Sequence, residues 1–319
     1  MKRLGVIMCT LMTSVVFAQG GENLQGTAPS GVLDGVYVQQ HIPTKKVIAY
    51  PHLREADVMW SKRVWRVIDL REKINYPLYY PTKPLNDRRS LWDVIRYGVE
   101  SEGSLIPYEV IPSGDSEGEV RFDYQGQFLH PIKPPNGNTK DSAYLKKIKA
   151  LFYSTETVPV IDPQTDAPMI DEDGLEVTKE IYKPISSSDV VQYLVKEDWF
   201  FDKQRSVMDV RIIGISPMIQ KYDEQGNLKP GLDQAFWLYF PETRYVFQNY
   251  FVYNRANDAQ RMSFDDLFWK RQFNSFIYKE TNVYDREIQN YEQNGVKALL
   301  ESERIKLEMT NFEHDLWHL

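Results

Sequence analysis

The sequence predicts an α+β protein with two lobes of mixed helices and short antiparallel strands, and with a helical C-terminus. Residues 207–219 are dense in β-branched side chains, which favour strands. Elsewhere apolar residues recur at helical spacings between turn signals. A run of proline, glycine and lysine at residues 131–137 marks the clearest internal boundary. With 319 residues, 42% of them hydrophobic, the chain is long enough for one large domain or two ordinary ones.

The first eighteen residues have the organisation of an export signal. Lys2 and Arg3 precede a mostly apolar run, which ends in Val-Phe-Ala, a sequence that suits a signal peptidase. The run is too short to span a bilayer. We therefore expect residues 1–18 to be a signal peptide and the exported chain to begin at Gln19.

The single cysteine, Cys9, lies inside this expected signal peptide. Bulky Met8 precedes it where a lipoprotein signal requires a small residue, so acylation is not expected. Removal of Cys9 would exclude structural disulfides, thiolate metal sites and cysteine catalysis. Removal of Lys2 and Arg3 would make the formal charge of −7 more negative by two, which argues against general binding to nucleic acid or anionic lipid.

The first half of the chain is predicted to form a tether and an N-terminal α+β lobe. Residues 19–31 are rich in glycine, asparagine and glutamine, which is typical of a flexible tether, and the lobe covers residues 32–130. Apolar residues recur at spacings of three and four over residues 53–74, which predicts an amphipathic helix. Ser90, with Asp93 three residues on, resembles a capping box and predicts the start of a second helix.

Turn signals organise the middle of the chain. Short apolar runs within residues 105–122 flank Ser113-Gly114-Asp115, which predicts a hairpin. Residues 131–185 are interpreted as a linker with a projecting β-loop. The turn signals Asp162-Pro163 and Asp173-Gly174 lie in that loop, around short apolar pieces.

The C-terminal α+β lobe is predicted over residues 186–319 and ends in a long helix. It begins with three serines and a helix through residues 190–194, followed by the strand at residues 207–219. The remaining predicted elements are a strand at residues 235–240 and helices at residues 244–253, 264–273 with Ser263 as N-cap, 283–291, and from about Val296.

The final helix carries two apolar stripes. One consists of Val296, Leu299, Leu300 and Leu307, and the other of Ile305, Met309, Phe312 and Leu316. Two stripes exceed what a surface helix needs in order to pack on its own domain. Either the helix lies in a groove of its own lobe, or the outer stripe contacts a neighbouring subunit or a partner protein.

Patterns for catalysis and metal binding are weak. Residues 214–218 lack the second glycine of a nucleophile elbow. His314 and His318 have helical ligand spacing but no glutamate between them, and residues 171–174 begin like a calcium loop whose glycine comes too early. We therefore expect no cofactor and no metal. The enzymatic alternative is a periplasmic hydrolase that acts on carbohydrate or peptidoglycan through a carboxylate pair.

Tryptophan and arginine occur together on the segment at residues 53–74. These residue types dominate protein interfaces, although a buried aromatic core with a solvated arginine face explains the pattern equally well. The candidate interface residues are Trp60, Arg63, Trp65 and Arg66 on this segment, and Ile305, Met309, Phe312 and Leu316 on the final helix.

One long segment, LREADVMWSKRVWRVIDLREK at residues 53–73, is preceded by VLDGVY at residues 32–37 and followed by PLYYP at residues 77–81. A later run, SFDDLF, occupies residues 263–268. Together these stretches resemble the gliding motility protein GldN family, whose counterpart in non-gliding Bacteroidetes is called PorN. The resemblance covers nearly the whole exported chain.

The resemblance implies a periplasmic component of the type IX secretion system. The implied partners are an outer-membrane lipoprotein of the GldK or PorK type, inner-membrane motor proteins of the GldL and GldM type, and further copies of the chain in a ring. No catalytic residue is attributed to the family. We therefore expect a non-enzymatic structural subunit, associated with the outer membrane through its lipoprotein partner, with no nucleic acid and no direct membrane insertion.

Overall fold

The computed structural model describes residues 46–85, 88–110, 128–137, 139, 141–159, 178–222, 228–254, 257 and 261–316. Their main feature is an antiparallel sheet, accompanied by a separate two-stranded ribbon. In chain order the strands are β1 (Val58–Asp69), β2 (Pro107–Tyr108), β3 (Tyr153–Pro159), β4 (Thr178–Pro184), β5 (Val190–Asp202), β6 (Val207–Tyr222), β7 (Leu228–Gln234), β8 (Trp237–Tyr239) and β9 (Phe276–Glu280).

The three long strands lie at the centre of the seven-stranded sheet, whose order is β2-β8-β6-β5-β1-β9. β7 pairs with a further part of β6. In the central register Trp65 lies opposite Lys196, and Lys196 lies opposite Gly214. A residue larger than glycine would not fit at position 214, because a Cβ there would lie 2.8 Å from the Phe128 ring and 3.2 Å from the Trp237 ring. The centre of the sheet is therefore packed closely.

Seven α-helices lie within the described residues, and several begin at the caps that the sequence indicates. The Ser90 and Ser263 hydroxyls accept hydrogen bonds from the backbone N–H of Asp93 and Asp266, both at 3.1 Å. The helices are α1 (Tyr76–Tyr79), α2 (Leu91–Arg96), α3 (Ser142–Phe152), α4 (Phe240–Phe247), α5 (Phe264–Trp269), α6 (Ile288–Tyr291) and α7 (Gly295–Asp315).

Within the described part of the chain, none of these helices combines the length and apolar composition needed to cross a membrane.

Both faces of the central strands are covered. Val64 and Ile68 share one face of β1; Ile68 belongs to a large core that includes α2, α4 and α5, and Val64 packs against α7. Trp65 and Val67, on the other face, form a smaller core with Trp237. Because side chains alternate along a strand, this burial on two sides accounts for the run of apolar residues in β1.

The prediction of an amphipathic helix over residues 53–74 is wrong, because most of this segment is β1. A strand that is buried on both faces lacks the period-two alternation of a half-exposed strand. Its apolar residues then recur at spacings that also fit a helix. Irregular pairing near Trp60 and between Trp65 and Arg66 further obscures the period.

The predicted helix through residues 190–194 is also wrong, for the same reason, since these residues begin the central strand β5. The three serines before it form a short 3₁₀ turn in which Ser186 and Asp189 make a capping box. The strand at residues 207–219 is confirmed as part of β6. The long C-terminal helix is confirmed as α7, whereas the helices predicted at residues 244–253, 264–273 and 283–291 are shorter than expected.

The mixed α+β class is confirmed, but the two predicted lobes share one sheet. β1 from the first predicted lobe lies between β5 and β9 from the second, and Pro43–Leu319 form one compact unit. The ribbon of β3 and β4 lies where the sequence indicates a projecting β-loop. The turn signals of that loop, and most of the predicted hairpin at residues 105–122, lie outside the described residues.

Candidate functional site

The interface residues predicted on β1 divide between the two faces of the sheet. Trp60 and Arg66 point toward α7, and Arg63 and Trp65 point away from it. Trp65 is 1% exposed and lies in the smaller core, with the Nζ of Lys279 at 5.0 Å from its ring centroid. Arg63 forms a half-buried ion pair with Asp198. The four residues therefore do not form one surface.

The apolar stripe predicted as an interface on the final helix faces the protein's own sheet. Ile305 and Met309 are buried among Val64 and Ile277. Phe312 stacks on Trp60, with ring centroids 4.8 Å apart. Leu316, at the end of the helix, is half-buried. Most of this predicted site thus lies in a contact within the chain. This arrangement agrees with the alternative in which the helix packs on its own domain.

The other stripe of α7 lies on the opposite side of the helix. A separation of 100° per residue places Val296, Leu300 and Leu307 about half a turn from Ile305. These side chains are exposed, and Leu300 reaches 65% exposure. Leu299, which flanks them, is 54% exposed. We call these four residues the outer face of α7.

A cluster of buried charges lies between the sheet and α7. The Glu197 carboxylate is fully buried and its Oε2 accepts hydrogen bonds from Arg66 Nε at 3.0 Å and from Trp199 Nε1 at 3.1 Å. Arg271 Nη2 donates to the same oxygen at 3.1 Å and lies 2.9 Å from Oε1. A single carboxylate thus faces two guanidinium groups, which leaves the cluster with a net charge of about +1.

Burial shapes the protonation energetics of this cluster. Desolvation lowers the pKa of Arg66, and the Glu197 carboxylate opposes that shift, while the Arg271 charge adds to it. Arg66 stays charged because a guanidinium pKa lies far above neutral pH. An excess buried cation is costly unless an anion approaches it. The cluster is therefore electrostatically suited to a negatively charged ligand.

A cavity of about 230 Å³ opens on this cluster, and we call it the arginine cleft. The sheet contributes two cluster residues, the segment after α5 forms one wall, and α7 forms the other. Its lining residues are Arg66, Trp199, Arg271, Phe273, Asn274, Ser275, Lys306, Met309, Thr310 and Glu313.

Arg271 is held in a backbone conformation that usually favours glycine. Its φ of 52° lies in the left-handed region, just after the end of α5. The N–H of Gln272 donates to Leu267 O at 3.0 Å, which completes the helix end. The Nη1 atom of Arg271 is buried and has no hydrogen-bond partner among the described residues. An arginine in this conformation presents a charged side chain where glycine would be the easier choice.

A second cavity, of about 160 Å³, contains an arginine whose guanidinium group lies against two aromatic rings. Arg244 lies 4.6 Å from the Tyr50 ring centroid and 4.8 Å from that of Trp269, and its Nε donates to Asp265 Oδ1 at 2.7 Å. Burial raises the pKa of the Tyr50 hydroxyl, and the Arg244 charge partly opposes this. The contacts of the Tyr50 ring with Arg244 and Trp269 attach residues 46–52 to the rest of the protein.

The carboxylates of the second cavity bear on the hydrolase alternative. The two carboxylates that line the second cavity are each in an ion pair, Asp265 with Arg244 and Asp209 with Arg205. Among the described residues there is no group of three or more metal-ligating side chains. The predicted His314 and His318 pair is not testable, because His318 lies outside the described residues.

Sequence reasoning missed Glu197, Arg271 and Arg244 as parts of charged clusters. Glu197 adjoins Trp199 on β5, and a charged residue inside an aromatic strand is a signal of a buried ion pair. The partners cannot be found in this way. Glu197 and Arg271 are distant in sequence, and only the pairing of β1 with β5 and the end of α5 bring them together.

The described residues thus form an α+β protein with a buried arginine–glutamate cluster and an apolar helix face that is open to solvent. The family described as gliding motility associated protein GldN matches residues 53–318. The chain belongs to this family, as the resemblance indicates, and its members are motility and secretion components rather than a known enzyme family. The comparison with curated proteins gives no match.

Proposed function

We propose that this chain is a non-enzymatic structural subunit of the type IX secretion machinery, and of the gliding machinery where the host cell glides. Membership of the GldN family supports a role in gliding motility and protein secretion. The observation that carries the structural role is the outer face of α7. We further propose that the chain works in the periplasm, which the export signal predicted at residues 1–18 supports.

The outer face is more apolar than a solvent-facing helix requires. Its four residues are all more than half exposed, while the opposite side of the same helix already anchors α7 to the sheet. Fully burying a leucine or valine side chain contributes about 1.5–3 kcal/mol. Covering this face with a partner helix would therefore contribute several kcal/mol to association.

The charges beside the outer face also suit an interface. Arg304 forms ion pairs with Glu301 at 2.7 Å and Glu308 at 3.3 Å, and all three lie along α7. A polar rim around an apolar centre is the usual anatomy of a protein–protein interface. The outer face thus combines four exposed apolar side chains with a row of charged side chains along one flank.

The proposed partners follow the family resemblance. They are further copies of the chain in a ring, an outer-membrane lipoprotein of the GldK or PorK type, and motor proteins of the GldL and GldM type. A ring requires a heterologous contact, in which one surface of a subunit meets a different surface of its neighbour. We assign the outer face of α7 to the contact with a neighbouring copy.

Site-specific photo-crosslinking in the native host tests this proposal. A photoreactive residue at position 300 should crosslink to a second copy of the chain, identified by mass spectrometry, while the same group at the exposed Lys146 of α3 controls for random contacts. Crosslinks from position 300 to the lipoprotein instead would reassign the face. No protein crosslink above the Lys146 control would contradict an interface at this face.

A further inference from the structure

We propose that the arginine cleft binds a carboxylate, carried by an acidic side chain of a protein partner. The proposal goes beyond the assembly role and does not rest on it, because it concerns a site that can be examined on the isolated chain. It depends on three properties of the cleft: its charge, a donor without a partner, and its apolar walls.

The first property is an excess of positive charge. Three of the described lining residues are cationic, Arg66, Arg271 and Lys306, and one is acidic, Glu313. Glu197 lies behind the two guanidinium groups and neutralises one of them. Lys306 also pairs with Glu303 at 3.5 Å, so the excess positive charge is that of the two guanidinium groups, and the other charged side chains of the lining are of both signs. Partial burial of the guanidinium groups strengthens their attraction for an anion.

The second property is an unused hydrogen-bond donor. The buried Nη1 of Arg271 has no acceptor in the described part of the chain. A buried donor without a partner is destabilising, so an acceptor that reaches it would be stabilised there. Arg271 lines the cleft, and its left-handed backbone is a conformation that glycine adopts more easily.

The third property separates a carboxylate on a side chain from a small inorganic anion. Trp199 and Phe273 pack near the Arg271 guanidinium, at 5.4 Å and 5.3 Å from their ring centroids, and Met309 lines the cleft from α7. A glutamate side chain has a short apolar stem and a planar carboxylate, which a guanidinium can bind in bidentate geometry. In the cleft the apolar stem would contact the aromatic and methionine side chains, and the carboxylate would contact the guanidinium groups.

The experiment uses two blocked peptides, acetyl-Gly-Glu-Gly-amide and acetyl-Gly-Gln-Gly-amide, with the exported chain. The indole N–H resonance of Trp199, assigned with Trp199→Phe, reports on the cleft because this group donates to Glu197. We expect a saturable shift with the glutamate peptide and none with the glutamine peptide. Equal shifts with both peptides would overturn the proposal.

Two lysines of α7 provide a matched pair of variants. Lys306 lines the cleft, whereas the exposed Lys297 does not. We expect Lys306→Gln to weaken binding of the glutamate peptide about two- to fivefold, the effect of losing an exposed ion pair, and Lys297→Gln to leave it unchanged. Equal effects of the two variants would show that only the overall charge matters, against the proposal.

Inorganic phosphate distinguishes the source of the anion. If phosphate shifts the Trp199 resonance at lower concentration than the glutamate peptide, the cleft is a phosphate site and the assignment to an acidic side chain fails.

The variant Arg271→Lys tests the role of the guanidinium group, because lysine retains the charge but cannot bind a carboxylate in planar, bidentate geometry. We expect this variant to weaken binding of the glutamate peptide more than Lys306→Gln does. Equal binding by Arg271→Lys and the unmodified chain would contradict the role of Arg271.

Discussion

Trp60 on β1 and Phe312 near the end of α7 stack with ring centroids 4.8 Å apart and ring planes 25° apart. This contact fixes which side of α7 meets the sheet, because Phe312, Met309 and Ile305 share one side of the helix. The opposite side, with Leu300 and its neighbours, then faces away from the core. One helix thus stabilises the fold and offers a surface to a partner.

The two sides of α7 should respond differently to truncation of a side chain. We expect Ile305→Ala to lower the free energy of unfolding by about 2–5 kcal/mol, because Ile305 is fully buried. Leu300→Ala, on the outer face, should change it by less than about 0.5 kcal/mol. Urea denaturation of both variants measures the difference, and similar losses would show that the outer face is also packed.

Removal of the Glu197 charge should destabilise the fold strongly. Glu197→Gln leaves the guanidinium groups of Arg66 and Arg271 beside each other without an anion, at a cost of about 3–5 kcal/mol. The adjacent Asp198→Asn is the matched control, since both side chains of its pair with Arg63 are more than a quarter exposed and its loss should cost less. Thermal melting compares them. A Glu197→Gln variant as stable as Asp198→Asn would contradict the view that the cluster is electrostatically coupled.

The sequence predicts the fold class, the strand β6, the long helix α7 and the caps at Ser90 and Ser263. Each depends on a local signal, such as β-branched residues or a serine followed by an acid three positions on. The strands β1 and β5 are not predicted, because burial on both faces removes the alternation that identifies a strand. Which neighbours cover each face depends on contacts that are distant in sequence.

The candidate site shows the same limit. The sequence identifies Trp60, Arg66 and Met309 as important, and the structure places them around the contact of α7 with the sheet. It does not identify Glu197, and it groups Arg271 with Trp269 and Lys270 on one predicted helix without its partner. The contact of Glu197 with Arg271 depends on the turn after α5. The two apolar stripes are recognised in the sequence, but only the fold shows which of them is buried.

Stability should fall in alkaline solution because buried tyrosines must stay neutral. Burial raises the pKa of Tyr250 from 10.0 to about 12, and it also raises that of the fully buried Tyr193. A raised folded-state pKa gives stability that is complete below pH 10 and is lost as the pH rises toward 12.

Tyr250→Phe removes one of these groups and should lessen the loss. Urea midpoints at pH 9 and pH 11 give the comparison for the chain and the variant. An identical decrease in both would show that ionisation of Tyr250 does not contribute.

Tyr50 should control the attachment of the segment at residues 46–52. Tyr50→Ala removes a ring that stacks on Arg244 and lies 5.6 Å from the Trp269 ring centroid. We expect faster proteolysis at the basic residues Lys46 and Arg54 with little change in the melting temperature, because few other contacts depend on this segment. Tyr50→Phe, which keeps the ring, should remain protected. Equal protection of the alanine variant would show that the backbone contacts of the segment are sufficient.

The most direct test of the central claim is the size of the native complex when the outer face of α7 is made charged. The variant Leu300→Glu with Leu307→Glu should stay folded, with an unchanged melting temperature, because both residues are exposed. In envelopes solubilised from the native host, we expect this variant to run as a small species on size-exclusion chromatography, while the control Lys297→Glu remains in the large assembly. A double variant that enters the large assembly like the unmodified chain would contradict the claim that this face holds the subunit in the secretion machinery.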